Sequence, residues 1–199
     1  MNFLEKNLED IIYETDSKIL NERGLHLFKN KKRQVTIGNY GVSDIICYEY
    51  GYERDPCKSF LNDNKDCSFC NGFECKRKTS LDIQILELKQ NQINVNSFLQ
   101  VLRYAKGILD YFNSIKFYVP FNIEMILIGS TLDNNSDFIY LPEIINVDEY
   151  ASVNNNIPYT FDFNMFTYEY LFDGIYFNEV NKYSLINKGF KHRRIDNVR

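Results

Sequence analysis

Two short strings constrain this chain more than any others: Gly41-Val42-Ser43-Asp44-Ile45-Ile46, and, about forty residues later, Ile85-Leu86-Glu87-Leu88-Lys89. Each has the aliphatic content of a strand packed into a sheet, and each is interrupted by charge. A simple buried strand has no use for Glu-Leu-Lys at the end of an apolar run, because an ionised group taken out of water must be compensated. The period-two geometry of a strand puts Glu87 and Lys89 on one face and Leu86 and Leu88 on the other. Asp44 comes from a neighbouring strand, so two carboxylates and an ammonium are expected to meet at one place.

The rest of the chain supplies a frame for those strands. Leu4, Leu8, Ile11 and Ile12 recur at helical spacing and predict an amphipathic helix over 3–20, with Glu5 and Glu9 one turn apart beside the stripe and Gly24 beyond it. Lys29, Lys31, Lys32 and Arg33 read as a basic turn. A strand over 34–38, a turn at Tyr40-Gly41 and a strand over 43–50 follow. Residues 51–79 lose all periodicity and read as an insertion. The strand 80–89 comes next, then a helix from Asn96 to about Asn113 with Phe98, Leu99, Leu102, Tyr104, Ile108, Leu109 and Phe112. The near-continuous apolar run 123–130 suits a strand covered on both faces. A short helix is expected around Tyr140 to Ile145, and a late strand over 168–178 with Asp173-Gly174 as a bulge or turn. The last dozen residues, 188–199, form a basic tail. This order predicts an α/β fold, a mixed central sheet flanked by helices.

Composition narrows the function classes. A net charge of −4 gives no global pull toward nucleic acid or anionic membranes, so any polyanion site must be a local basic patch. No apolar run approaches the ~18 residues of a membrane span. Residues 1–10 are acidic and helical in pattern and lack the regions of a signal peptide. The expected location is cytoplasmic, with the five cysteines reduced or metal-bound rather than paired.

Two carboxylates beside a lysine suit phosphodiester hydrolysis. Such a site needs a hard cation, an oriented water and compensation for charge building on the phosphoryl oxygens. Asp44 and Glu87 can hold Mg²⁺ together with the carbonyl of Leu88. Lys89 can orient the attacking water or stabilise the transition state. Carboxylate neighbours push its pKa up, while a metal and desolvation push it down. Gln100 on the following helix, and Glu5 or Glu9 on the first, can complete the shell.

In their order and placement these residues resemble the PD-(D/E)xK, or restriction-endonuclease-like, nucleases. The likeness covers roughly residues 3–112. It is closest to the branch with an N-terminal Glu-x-x-Leu-Glu helix, as in NucS-type endonuclease domains. The matching stretches are Glu5-Lys6-Asn7-Leu8-Glu9; Arg33-Gln34 leading into 38–46; Glu87-Leu88-Lys89; and Gln100-Val101-Leu102-Arg103-Tyr104. The resemblance implies Mg²⁺ or Mn²⁺ at Asp44 and Glu87, Lys89 as the catalytic lysine, Gln100 and a helix-one glutamate in support, and DNA as the substrate, with RNA as the alternative. It implies a nuclease-like domain over 1–180; the dimer common in this fold is a further expectation. Two departures stand out. Ser43 takes the place of the proline that often precedes the first aspartate, and the insertion between the metal-bearing strands is long and cysteine-rich. Tyr104 reads as a core or lid residue, and Arg33 and Gln34 as either phosphate contacts or a surface turn.

The insertion carries Cys57, Cys67, Cys70 and Cys75 in the spacing C-x9-C-x2-C-x4-C. The CxxC knuckle lets both sulfurs reach one ion, and four thiolates satisfy tetrahedral Zn²⁺. A segment this polar builds no core, so the metal would supply its folding energy. An iron–sulfur cluster or free thiols are the alternatives. Cys47, in an apolar strand, reads as a buried thiol. Lys58, Lys65, Lys76, Arg77 and Lys78 could place the module beside the cleft, or the module is a plain staple. Against the nuclease stand two other readings. One is a non-catalytic interaction protein on the same fold, a subunit of a defence or mobile-element system. The other is a zinc-stabilised protein that binds nucleic acid without cutting it.

Overall fold

The computed structural model describes residues 5–52, 78–133, 151–152 and 158–180. Two helices open the chain, α1 (Glu5–Glu14) and α2 (Ser17–Glu22). The sequence predicts one continuous helix here. The break has a local cause: Asp16 takes extended backbone, and its carboxylate accepts the Lys18 N–H at 2.8 Å, which starts a second helix. Leu8, Ile12 and Leu20 are fully buried. Gly24 ends α2 at φ +90°, and its missing Cβ is required: a Cβ there would stand 2.2 Å from the Phe177 carbonyl oxygen.

The strands are β1 (Asn30–Thr36), β2 (Val42–Tyr52), β3 (Lys78–Leu88), β4 (Gln92–Ile93), β5 (Phe121–Gly129), β6 (Thr131–Leu132), β7 (Ala151–Ser152), β8 (Pro158–Leu171) and β9 (Gly174–Glu179), with one long helix, α3 (Val95–Ser114), after β4. The basic run predicted as a turn is instead strand β1. Its lysine finds work there: Lys31 Nζ donates to the Ile12 and Thr15 carbonyls at 2.9 and 2.5 Å, at the C-terminal end of α1. The late strand predicted over 168–178 is a hairpin, β8 and β9 turning at Asp173-Gly174, and β8 begins ten residues earlier. The helix expected around Tyr140 lies outside the described residues.

Among the described residues seven strands form one mixed sheet in the order β1-β2-β3-β5-β8-β7, with β9 also on β8. Pairs β1–β2, β2–β3, β7–β8 and β8–β9 are antiparallel; β3–β5 and β5–β8 are parallel. Strands β4 and β6 form a separate parallel pair. The sheet has a core on each side. Ile83, Ile85, Ile123, Met125 and Leu127 face α3 through Phe98, Val101 and Ala105. Leu86, Leu88, Ile126 and Ile128 face α1 and α2. This two-sided burial explains why β5 reads as an unbroken apolar run. No helix among the described residues is long and apolar enough to cross a membrane.

Candidate active site

The β2–β3 register, Ile45 opposite Leu86, brings the start of β2 against the end of β3. Asp44 and Glu87 therefore come together, on the α3 side of the sheet. Two hydrogen bonds lock this corner. Asp44 Oδ2 accepts the Leu88 N–H at 2.8 Å, and the fully buried Ser43 hydroxyl reaches the Leu86 carbonyl at 3.3 Å. The residue that departs from the usual proline is thus a fastener between the two strands.

Glu87 is 2% exposed. Its Oε1 accepts from Lys89 Nζ at 2.6 Å, while its Oε2 is buried without a hydrogen-bond partner. Burial, and then the neighbouring Asp44 and Glu5 charges working against Lys89, push the Glu87 carboxyl up to about 7. Burial likewise pushes Asp44 up to about 6, opposed by the Leu88 N–H and Lys89 and helped by Glu5 and Glu9. Burial pulls the Lys89 ammonium down, but the Glu87 hydrogen bond and the Glu87, Glu5 and Asp44 charges outweigh it, and its pKa rises. Lys89 is a cation at neutral pH.

The two helix-one glutamates differ in their partners. Glu5 Oε2 accepts the Gln90 N–H at 3.4 Å and its charge acts on Asp44, Glu87 and Lys89 alike. Glu9 is held by Gln34 Nε2 at 2.8 Å, and its charge acts on Asp44. Arg33 is paired with Asp10 at 2.8 Å. Arg33 and Gln34 both bond residues of α1 and so anchor that helix on β1. Gln100 lies one step back: its amide donates to the Tyr104 hydroxyl at 2.7 Å. Tyr104, 2% exposed, lies within the field of the carboxylates. Burial first, and then the Glu87 and Asp44 charges, raise its phenol pKa. It also seats against Gly41, where a Cβ would lie 2.9 Å from its Cε1.

One contributor was invisible in the sequence: Tyr168, on β8, donates to the Gln90 carbonyl at 2.7 Å, and Gln90 in turn holds Glu5. Tyr104, named above as a core or lid residue, sits on the buried face of α3. On the opposite face of the sheet, across β3, β5 and β8, a polar row of Gln84, Glu124 and Asn164 is joined at 2.8 and 2.7 Å.

The donor set fits a hard divalent ion. It offers two oxygen acids with raised proton affinity, one buried carboxylate oxygen lacking a partner, and the Leu88 carbonyl. The Lys89 N–H, in the same peptide as that carbonyl, donates to Ile128 on β5 at 2.7 Å. The trans peptide therefore turns the Leu88 carbonyl the other way, toward β2 and Asp44. Among the described residues no three His, Cys, Asp or Glu side chains form a metal cage; Mg²⁺ uses one or two carboxylates and keeps its waters. Cys57, Cys67, Cys70 and Cys75 lie outside the described residues, as do the basic groups from Lys58 to Arg77 and the tail. The root of that insertion is described: it leaves the hairpin at Tyr52 and returns at Lys78, eight residues along β2 from Asp44, or about 27 Å of antiparallel strand. The insertion thus starts at the end of the strands remote from the carboxylates, not beside them. Cys47 is a fully buried free thiol whose pKa burial pushes up to about 12. No family model, curated protein or solved structure matches this chain.

Proposed function

We propose that the chain is a metal-dependent nuclease of the PD-(D/E)xK type, hydrolysing phosphodiester bonds in DNA. The observation that carries this reading is the buried Glu87 carboxylate: one oxygen on Lys89, the other without a partner, and Asp44 alongside. A protein has no structural use for such a group, which destabilises the fold whenever it is ionised. Asp44, Glu87 and the Leu88 carbonyl would hold Mg²⁺ or Mn²⁺. The ion, when bound, lowers the pKa of a water and offsets charge on the phosphoryl oxygens.

The chain's own residues do the rest. Lys89, held by Glu87, carries a positive charge to the corner where negative charge grows during in-line attack. Glu5, steered by Gln90, adds an acceptor that orients water. Gln100 acts through Tyr104, whose phenol closes the α3 side. Glu9, held by Gln34, acts on Asp44 through its charge. The four insertion cysteines bind one structural Zn²⁺, which fits a reducing, cytoplasmic location. DNA is favoured over RNA on the resemblance alone.

A second reading has an observation of its own. Val95, Leu99 and Leu102 are 42%, 53% and 41% exposed and align on the outer face of α3. Such a stripe suits a partner or a second copy of the chain, and so a non-catalytic subunit of a larger assembly. Cleavage decides between them. The protein is incubated with Mg²⁺ or Mn²⁺ and single-stranded, double-stranded and branched DNA and RNA, alongside Glu87→Ala and Lys89→Ala. Cleavage by the wild type alone is the expected result; equal or absent cleavage in all three sinks the nuclease.

A further inference from the structure

A cavity of about 570 Å³ opens between β1, the turn at 38–40, β2 and α3. Its walls are Ile37, Ile46 and Ile108 with the rings of Tyr40 and Tyr111, and Asp110 is the one charged residue lining it. The size is that of a small-molecule site, and the make-up, apolar walls with one polar group, is what such sites use.

Two elements connect it to the site independently. On β2, Asp44 and Ile46 share a face about 7 Å apart. On α3, Tyr104, which feels the charges of Glu87 and Asp44, stands one turn before Ile108, about 6 Å along the axis. The β2 step, from Asp44 to the Ile46 wall, is the one that gives the distance from a carboxylate to the cavity. That distance is about two stacked-base steps of ~3.4 Å each.

The lining selects the chemistry. Asp110 Oδ2 accepts from the Tyr40 hydroxyl at 2.5 Å, and Oδ1 from Lys106. Those bonds hold the carboxyl below the usual carboxylate range, so it stays ionised. Paired with Lys106 and Tyr40, the carboxylate at the cavity wall still has lone pairs to accept a further N–H donor. Aromatic and aliphatic walls take a flat ring. We infer that this cavity takes an unpaired base of the strand bound at Asp44 and Glu87, and that it favours bases with an exocyclic amino group. The ligand is thus a nucleobase, and the substrate is single-stranded or opened at this point. The inference rests on the nuclease reading for the strand, but not for the pocket.

The test measures binding without cleavage. With metal chelated, fluorescence anisotropy follows single-stranded oligo-dA, oligo-dC and oligo-dT on the full chain, and ligand-observed NMR follows adenosine, cytidine and thymidine. Thr36→Trp, at the exposed rim, fills the cavity; Asp110→Asn removes the acceptor charge and guards against a folding defect in the first. Oligo-dA and oligo-dC should bind more tightly than oligo-dT. Thr36→Trp should weaken binding about tenfold, the worth of one stacked base, and Asp110→Asn should erase the preference. Wild-type binding by both variants overturns the inference, whether or not the protein cleaves. Base binding that responds to both variants in a protein that cuts nothing supports the pocket and sinks the nuclease.

Discussion

Glu87→Gln tests the electrostatics of the site without any substrate. The Glu87 carboxyl goes from an ordinary 4.5 to about 7 on folding, chiefly because burial disfavours its charge. At about 1.4 kcal/mol per tenfold change in proton affinity, ionising it costs the folded, metal-free protein about 3 kcal/mol. The sign follows from which form the fold prefers. A raised folded-state pKa stabilises the fold below 4.5, and that contribution is lost as pH rises through 7. Wild-type protein in chelator should therefore lose stability between pH 4.5 and 7 and level off above. Glutamine carries no charge to bury and lacks this loss. At pH 8 the variant should be the more stable by up to about 3 kcal/mol, or ~6–12 °C in melting temperature for a chain of this size. Near pH 5 the advantage should mostly vanish, and the lost Lys89 hydrogen bond should put the two close together. Urea or thermal unfolding of both proteins at the two pH values reads the difference directly. The same offset at both pH values would refute the reasoning, because the penalty belongs only to the ionised form. Millimolar Mg²⁺ at pH 8 should raise the wild type and move the variant less, since binding to the native state alone adds stability.

Other consequences are as accessible. Gly41→Ala forces a Cβ onto φ +122° and within 2.9 Å of Tyr104, and should lower stability by about 1–3 kcal/mol in thermal melts. Tyr168→Phe releases the Gln90 carbonyl and loosens Glu5. It should raise the Mg²⁺ concentration for half-maximal cleavage about tenfold, with little change at saturating metal. Purified protein should carry one zinc per chain, and Cys70→Ser should lose it by elemental analysis; zinc content unchanged in that variant would remove Cys70 from the site.

What the sequence disclosed was whatever a local period can encode. Helix α3 was legible from Phe98, Tyr104, Ile108, Leu109 and Phe112, which do pack on the core, although Leu99 and Leu102 of the same stripe turn outward. Strands β3 and β5 were legible from their aliphatic runs, and the order Asp44, Glu87, Lys89 from the charge in them. Long-range partners had no such trace. The run from Lys29 to Arg33 looked solvated because nothing local shows that Lys31 reaches the end of α1 or that Arg33 meets Asp10. Glu5 and Glu9 sit one turn apart on the same helix face, so periodicity ranks them equally; Gln34, a residue of a different element, tells them apart by bonding Glu9. Strand β8 is a different kind of miss. Tyr159 to Met165 alternates apolar and polar without a break, with Phe163 and Met165 in the core and Asn164 on the opposite side bonded to Glu124. The alternating signal is present in the sequence, and the strand expected from Tyr168 onward extends back through it.

The β2–β3 hairpin has a structural consequence. Asp44 and Glu87 lie at its open end, and its connection leaves from the other. Register between the strands is fixed by seven apolar and polar rungs from Ile45–Leu86 to Gly51–Ser80, none of which depends on what joins Tyr52 to Lys78. The joining piece can be lengthened, shortened or replaced wholesale, and Asp44 still arrives opposite Glu87. Such a hairpin works as a socket: the juxtaposition of Asp44 and Glu87 is kept at one end while the connection at the other is free to vary, and a cysteine-bearing segment can be carried there without disturbing the carboxylate pair.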